Sequence, residues 1–229
     1  MTLVCATPAE FAQLFDVSRE TVERLKIYAD LLERWQKTIN LVAPKTLGDA
    51  WQRHFADSAQ LWAFVPSDAK FLMDVGSGAG FPGLVLAILA AEKRPVNINP
   101  GLYPLHVTLV ESDTRKAAFL RDVARQTGIA VDIMSSRIES ITNSVNVRSV
   151  DVITSRALAP LLRLFDLLEP LFKPETVALF PKGRNVGDEV EDARRAWSFD
   201  LQLESSLTEA DARIAVIHHL KRKKGGLIP

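Results

Sequence analysis

Between Ser18 and Ile39 the apolar side chains recur at spacings of three and four: Val22, Leu25, Tyr28, Leu32, Trp35 and Ile39. That period puts them on one face of a helix over residues 18–39, with Ser18 suited to cap its N-terminus. Glu20/Arg24, Asp30/Arg34 and Glu33/Lys37 lie four apart on the other face, each with the acid first, which is the favourable order. A turn follows around Pro44 and Lys45. A second helix is expected to begin near Asp49 and to present Trp51, Phe55, Leu61 and Trp62, until Pro66–Ser67–Asp68 breaks the pattern. Residues 1–68 therefore read as a small helical region, with Trp35 and Trp51 as core anchors.

From Lys70 onward the rhythm changes. Short apolar runs at Phe71–Val75, Val107–Glu111, Val131–Met134, Val150–Thr154 and Val177–Phe180 have the length of buried strands. Helical patterns at Leu84–Ala91, Thr114–Thr127 and Leu161–Leu168 separate them, the last ended by Pro170. Strands alternating with helices predict a parallel sheet covered on both faces. The last two strand candidates, Asp200–Ser205 and Arg213–Leu220, are joined only by the polar stretch Thr208–Ala212. That spacing predicts a C-terminal antiparallel hairpin added to the sheet. Residues 69–229 then form one α/β domain. Residues 94–106, with three prolines, read as a long loop of unassigned role, and Lys221–Lys224 as a basic, solvated tail.

Composition changes this picture only at the margins. The chain has 229 residues, 47% of them hydrophobic, enough for a sizeable core. No apolar run approaches the ~20 residues needed to span a bilayer, so no membrane association is expected. No basic segment followed by an apolar one opens the chain, so no signal peptide is expected either. The single cysteine, Cys5, falls in an expected tail and offers neither an internal disulfide nor a zinc cluster. A cytoplasmic monomer without bound metal is the expectation. The formal net charge is zero, so any grip on nucleic acid must come from local basic patches.

The candidate chemistry begins where the first parallel strand hands over to its helix, at Met73-Asp74-Val75-Gly76-Ser77-Gly78-Ala79-Gly80-Phe81-Pro82-Gly83. Glycines there let the backbone turn sharply and approach a ligand without a Cβ in the way. In open α/β sheets that is where ligands bind. Gly78, Gly80 and Gly83 match the spacing of dinucleotide-binding turns. Pro82, however, has no N–H to offer a pyrophosphate, and the Asp74 carboxylate just before the glycines suits a cationic ligand. The pattern favours S-adenosylmethionine over a nicotinamide dinucleotide. Glu111 ends the second strand, where an acid accepts hydrogen bonds from ribose hydroxyls in both cofactor families. Ser136-Arg137-Ile138-Glu139 follows the third strand, beside the expected adenine position.

Taken together these residues resemble the small-subunit ribosomal RNA guanine-N7 methyltransferases, also called glucose-inhibited division protein B. The likeness runs across nearly the whole chain. It includes Trp35 with Asn40-Leu41, Arg53-His54-Phe-Ala-Asp57-Ser58, the glycine turn Asp74–Gly83, Arg115-Lys116, Phe119-Leu120-Arg121, Ser136–Glu139, Ser155-Arg156-Ala157 and Lys182-Gly183. The glycine turn alone would indicate only a class I methyltransferase; the Arg-His-x-x-Asp-Ser and Ser-Arg-Ala segments are more specific. The resemblance implies a class I, Rossmann-like methyltransferase sheet carrying an N-terminal helical region. It implies transfer of a methyl group from S-adenosylmethionine to N7 of one guanine in 16S ribosomal RNA. By the same likeness Gly76, Gly78, Gly80 and Phe81 contact the methionine and ribose parts of the cofactor, Glu111 its ribose, and Ile138 with Glu139 its adenine. Arg156 stands at the mouth of the pocket, near cofactor and target base.

Guanine N7 carries an in-plane lone pair and no proton, so attack on a sulfonium methyl needs alignment and no general base. In agreement, no Asn-Pro-Pro-Tyr segment of the amino-group methyltransferases follows the strand ending at Thr154; Ser155-Arg156-Ala157-Leu158 stands there. Arg156 has three possible partners, the cofactor carboxylate, a phosphate or the base edge at O6. Lys182 is balanced between contact with phosphate and solvation. Arg53 and His54, with Asp57, either help bind RNA or lock the helix to the sheet. A methyltransferase acting on a small molecule or protein is the alternative that the neutral net charge leaves open.

Overall fold

The computed structural model describes residues 3–93, 104–142 and 150–223. Two helices open the chain: α1 (Pro8–Phe15) and α2 (Arg19–Gln36). Ser18 caps α2 as its spacing predicted, its side chain accepting the Thr21 N–H. α1 was hidden in the expected tail. It is set by a capping box, in which the Thr7 side chain accepts the Glu10 N–H while the Glu10 carboxylate accepts the Thr7 N–H, and by Pro8 in the first turn. Cys5 is correspondingly no tail residue: it is fully buried, and its N–H donates to Gln52 Oε1 at 2.6 Å.

The expected second helix is irregular. Trp51–Ala56 is a π-helix, Asp57–Ala59 (α3) a single α-turn, and Gln60–Phe64 a 3₁₀ turn. π segments often mark functional sites because they redirect side chains within one turn; this one carries Arg53 and His54.

The α/β part follows the predicted alternation: β1 (Phe71–Val75), α4 (Gly83–Lys93), β2 (His106–Val110), α5 (Thr114–Thr127), β3 (Asp132–Met134), α6 (Ile138–Thr142), β4 (Val152–Thr154), α7 (Leu161–Leu168), β5 (Val177–Lys182), α8 (Val186–Ala196), β6 (Trp197–Ser205) and β7 (Arg213–Arg222). Among the described residues they form one seven-stranded sheet in the order β3-β2-β1-β4-β5-β7-β6. The pairs from β3 to β5 are parallel, and β7 runs antiparallel to both β5 and β6. The chain moves outward from β1 to β3 and then returns to β4. The gap between the C-terminal ends of β1 and β4 is therefore the topological switch point, where such sheets open a crevice.

Two apolar clusters cover the two faces. Leu25, Tyr28 and Phe55 of the N-terminal region pack with Leu84, Ile88, Leu109 and Phe119 on one side. Ile153, Leu164, Phe165, Phe180 and Trp197 fill the other. α8 was not expected, because its eleven residues, Val186–Ala196, are mostly charged and bury only Val186, Ala193 and Ala196. The basic run was read as a solvated tail, but β7 continues through Lys221 and Arg222. The Arg222 guanidinium lies 4.3 Å from the Trp197 ring centroid and pairs with Asp166, while Lys223 Nζ donates to the Arg194 carbonyl. Lys224 and residues 94–103 of the long loop lie outside the described residues.

Candidate cofactor and RNA site

The glycine turn follows β1 directly. Gly76, Gly78 and Gly80 have φ of 69°, 56° and 89°, values at which a side chain is strained. The Gly76 and Ser77 N–H groups both donate to the Val110 carbonyl, at 2.9 and 3.0 Å, which fixes the turn to the end of β2. Gly78 N–H donates to Glu111 Oε2 at 2.8 Å. Glu111 Oε1 accepts the Asp113 N–H at 2.7 Å. Each carboxylate oxygen thus keeps a lone pair for a further donor. A Cβ built on Gly78 meets only the Gly76 carbonyl, at 3.8 Å, so this side of the turn is open.

A cleft of about 1080 Å³ lies above the switch point. Gly76, Gly78, Phe81, Glu111, Ile138 and Glu139 line it, as do Arg53, His54, Arg156 and Lys182. One structure thus brings together most of the residues singled out in the sequence. Asp74 stands apart. It is fully buried and does not line the cleft; its Oδ1 accepts from Thr154 Oγ1 at 2.7 Å. A Cβ on Gly83 would come within 2.7 Å of its Oδ2, so the carboxylate faces the start of α4. Burial pushes its pKa up to about 6, against the opposing hydrogen bond from Thr154. Phe81 is also largely covered, at 3% exposure. Its ring stacks on Tyr28 at 5.1 Å and on His54 at 5.0 Å, and meets Phe55 edge-on at 5.3 Å. Tyr28 in turn donates its hydroxyl to the Ala79 carbonyl. The N-terminal region is thereby part of the support of the glycine turn.

Arg156 follows β4 and reaches across the cleft to the π-helix. Its Nη1 donates to the Arg53 carbonyl at 3.0 Å and lies 3.3 Å from Asp57 Oδ2, and its Nη2 lies 3.1 Å from His54 Nδ1. The guanidinium carbon stands 5.0 Å from the Phe81 ring centroid. Burial, together with the positive charges of Arg156 and Arg53, pushes the His54 pKa down to about 3. Asp57 Oδ1 accepts from Thr208 Oγ1 at 2.9 Å, and Arg53 pairs with Glu209 at 2.8 Å. The Arg-His-x-x-Asp segment therefore locks the N-terminal region both to Arg156 and to the loop between β6 and β7.

Lys182 is also engaged. Its Nζ donates to the Ala159 carbonyl and to Glu189 Oε2, both at 2.8 Å, and its side chain is only 9% exposed. The same Glu189 oxygen accepts the Leu161 N–H at the start of α7. Lys182 thus holds the segment after β4 in place. Glu189 could not be found from sequence because it lies on the unanticipated α8. Thr46, which touches His54, lay in a stretch read only as a turn. Leu158 is half-exposed and covers Gly76, where a Cβ would meet its Cδ1 at 2.8 Å. Among the described residues no cluster of His, Cys, Asp and Glu has the makings of a metal site, and no helix is long and apolar enough to cross a membrane.

The fold resembles that of a methyltransferase from Geobacter sulfurreducens (TM-score 0.55, 9% identity, covering 95% of this chain and 99% of that one). It also resembles an MtNAS mutant crystallised in complex with S-adenosylmethionine (TM-score 0.54, 13% identity, 93% and 84%). At such identities the likeness is one of fold. The sequence goes further: it is 45% identical over 215 residues to the ribosomal RNA small subunit methyltransferase G of Parvibaculum lavamentivorans, covering 94% of this chain and 90% of that protein. Residues 21–218, which contain the glycine turn, Glu111, the Arg-His-x-x-Asp segment and Arg156, match the family described as GidB, rRNA small subunit methyltransferase G, and the chain belongs to that family.

Proposed function

We propose that this protein transfers the methyl group of S-adenosylmethionine to N7 of one guanine in the 16S RNA of the small ribosomal subunit, acting as a cytoplasmic monomer. The observation that carries the reading is the open glycine turn beside Glu111, faced across one cleft by the fixed Arg156 guanidinium. The cofactor fits the residues present. The Gly78 side of the turn has room for a ligand against the backbone, and Glu111 has lone pairs left for ribose hydroxyls. Ile138 and Glu139 would flank the adenine and Gly76 the methionine part, while Gly80, packed against Leu84 and Tyr28, would shape the turn without touching the ligand. Phe81 and Asp74 support the turn from beneath. The bound cofactor supplies an electrophilic methyl group on a sulfonium sulfur.

This chain's own residues supply placement. N7 has a lone pair and no proton, so no side chain has to remove one. Alignment is worth roughly 7–11 kcal/mol of barrier when reacting atoms are held in line. Arg156 has an Nε–H and an Nη2–H without a protein acceptor among the described residues. Guanine presents O6 beside N7, and an arginine commonly contacts both. Here the N7 lone pair must stay free to react, so the donors belong on O6 or on a neighbouring phosphate. Arg53 forms an exposed ion pair with Glu209, which costs little to open, and can turn to RNA phosphate.

Two variants test this. Arg156→Ala is expected to lower the single-turnover methylation rate about 100-fold, the order of loss a misplaced reactant brings, while its calorimetric affinity for S-adenosylmethionine stays near wild type. Gly78→Val is expected to abolish cofactor binding, because φ at 78 is 56° and a branched side chain would fill the open side of the turn. A wild-type rate for the first removes Arg156 from the site. Wild-type affinity for the second removes the cofactor assignment.

A further inference from the structure

The hydrogen-bonding roles around His54 are dictated by its partner. A guanidinium only donates, so the contact of 3.1 Å between Arg156 Nη2 and His54 Nδ1 requires Nδ1 to accept. The ring proton must then sit on Nε2, which lies 2.8 Å from Thr46 Oγ1. Thr46 Oγ1 donates its own O–H to the Ala43 carbonyl at 2.8 Å and so has a lone pair for Nε2–H. A directed chain results, from Arg156 to His54 to Thr46 to the carbonyl of residue 43. The ring is also held in plane, stacked on Phe81 at an interplanar angle of 25°. Arg156 lies against that same Phe81 ring. A second proton on His54 would turn the acceptor into a donor facing a cation. Burial between Arg156 and Arg53 works against that proton.

From this geometry we infer that His54 is a positioning residue for methyl transfer: its Nδ1, kept an acceptor by Thr46, aims the Arg156 guanidinium so that the remaining N–H donors face the target base. This rests on the placing of Arg156 at the target base proposed above. Of the three groups that hold the guanidinium, the Arg53 carbonyl and Asp57 take Nη1, and His54 alone among the described residues takes Nη2, the nitrogen that also carries one of the two open donors. His54 belongs to the π-helix and Thr46 to the preceding turn, so the N-terminal region sets the orientation of a side chain that the sheet supplies.

The test is a double-mutant cycle read by single-turnover methylation of small-subunit particles, with calorimetric affinity for S-adenosylmethionine and unfolding in urea as controls. Asn carries an acceptor as many bonds from Cβ as Nδ1; Gln carries one at the distance of Nε2, in reach of Thr46 and not of Arg156. His54→Asn is expected to stay within about threefold of the wild-type rate, and His54→Gln to fall at least about tenfold with cofactor affinity unchanged, the scale set by losing one aimed contact. In an Arg156→Ala background His54→Gln is expected to cost nothing more, as for residues acting through a single contact. Thr46→Val leaves the ring but frees its tautomer, and its rate is expected between those of the two His54 variants. Equal rates for Asn and Gln, or a His54→Gln loss that persists without Arg156, would overturn the inference while leaving Arg156 in place. A wild-type rate for Arg156→Ala alone would instead remove the reading on which it rests.

Discussion

Burial, with Arg156 and Arg53 beside the ring, holds the His54 pKa below its ordinary value, which has a consequence for stability. Its pKa is 6.5 when unperturbed and about 3 in the folded chain, chiefly through burial. Between those values the unfolded chain binds a proton that the folded chain does not. The stability associated with the neutral ring is thus fully present above pH 6.5 and is lost as pH falls toward 3. Asn at position 54 does not titrate. Urea unfolding of wild type and His54→Asn at pH 7.5 and at pH 4.5 should show wild type losing ground relative to the variant at the lower pH. A difference in stability that does not change with pH would mean that His54 is as easily protonated in the fold as outside it.

At the scale of elements, the join between β1 and α4 sets the site. Gly83 opens α4 directly over Asp74, and a Cβ there would stand 2.6 Å from Asp74 Cβ and 2.7 Å from its Oδ2. Neither atom can swing away, because Asp74 is fully buried and tied to Thr154. Gly83→Ala should therefore lower stability by about 1–2 kcal/mol in urea unfolding, the overpacking cost exceeding the roughly 1 kcal/mol that alanine gains in a helix. Unchanged or raised stability would show that β1 and α4 are not so closely joined. The elements with strong periodicity were legible without a structure: β1, α5 and α7 lie where their apolar spacing placed them. α1 was not legible, since a capping box and Phe11 are a faint signal beside a whole amphipathic face. α8 escaped because Asp188, Glu189, Glu191, Asp192, Arg194 and Arg195 mask its narrow apolar edge. The π-turn at Trp51–Ala56 breaks the period of 3.6 on which helix recognition depends. The site divides in the same way. The glycine turn and Glu111 are contiguous with the strands that carry them and could be read directly. The partners of Arg156 and Lys182 lie about 100 residues away and on the unanticipated α8, respectively, so only the closed fold reveals that both side chains are held by protein partners.

Over the whole molecule the formal net charge is zero, so a polyanionic substrate has to be met by local basic groups. Arg53, Arg156 and Lys182 of the cleft are paired with Glu209, Asp57 and Glu189, which leaves Lys116 and Arg137 of its lining as basic groups for phosphate, while the basic end of β7 is spent on Asp166 and Trp197. The helical N-terminal region shares its core with α4 and α5, supports the glycine turn through Tyr28, and holds Arg156 through the π-helix. In the proposed reading, cofactor and target base meet in the cleft at this switch point. The most direct test of this account is methyl transfer from labelled S-adenosylmethionine to small ribosomal particles from cells lacking the protein, followed by chemical cleavage at 7-methylguanine and mapping of the break. A single label at N7 of one 16S guanine, appearing about 100-fold more slowly with Arg156→Ala, is the predicted result. Label at another atom of the base, or none in RNA from a protein that still binds the cofactor, would contradict it.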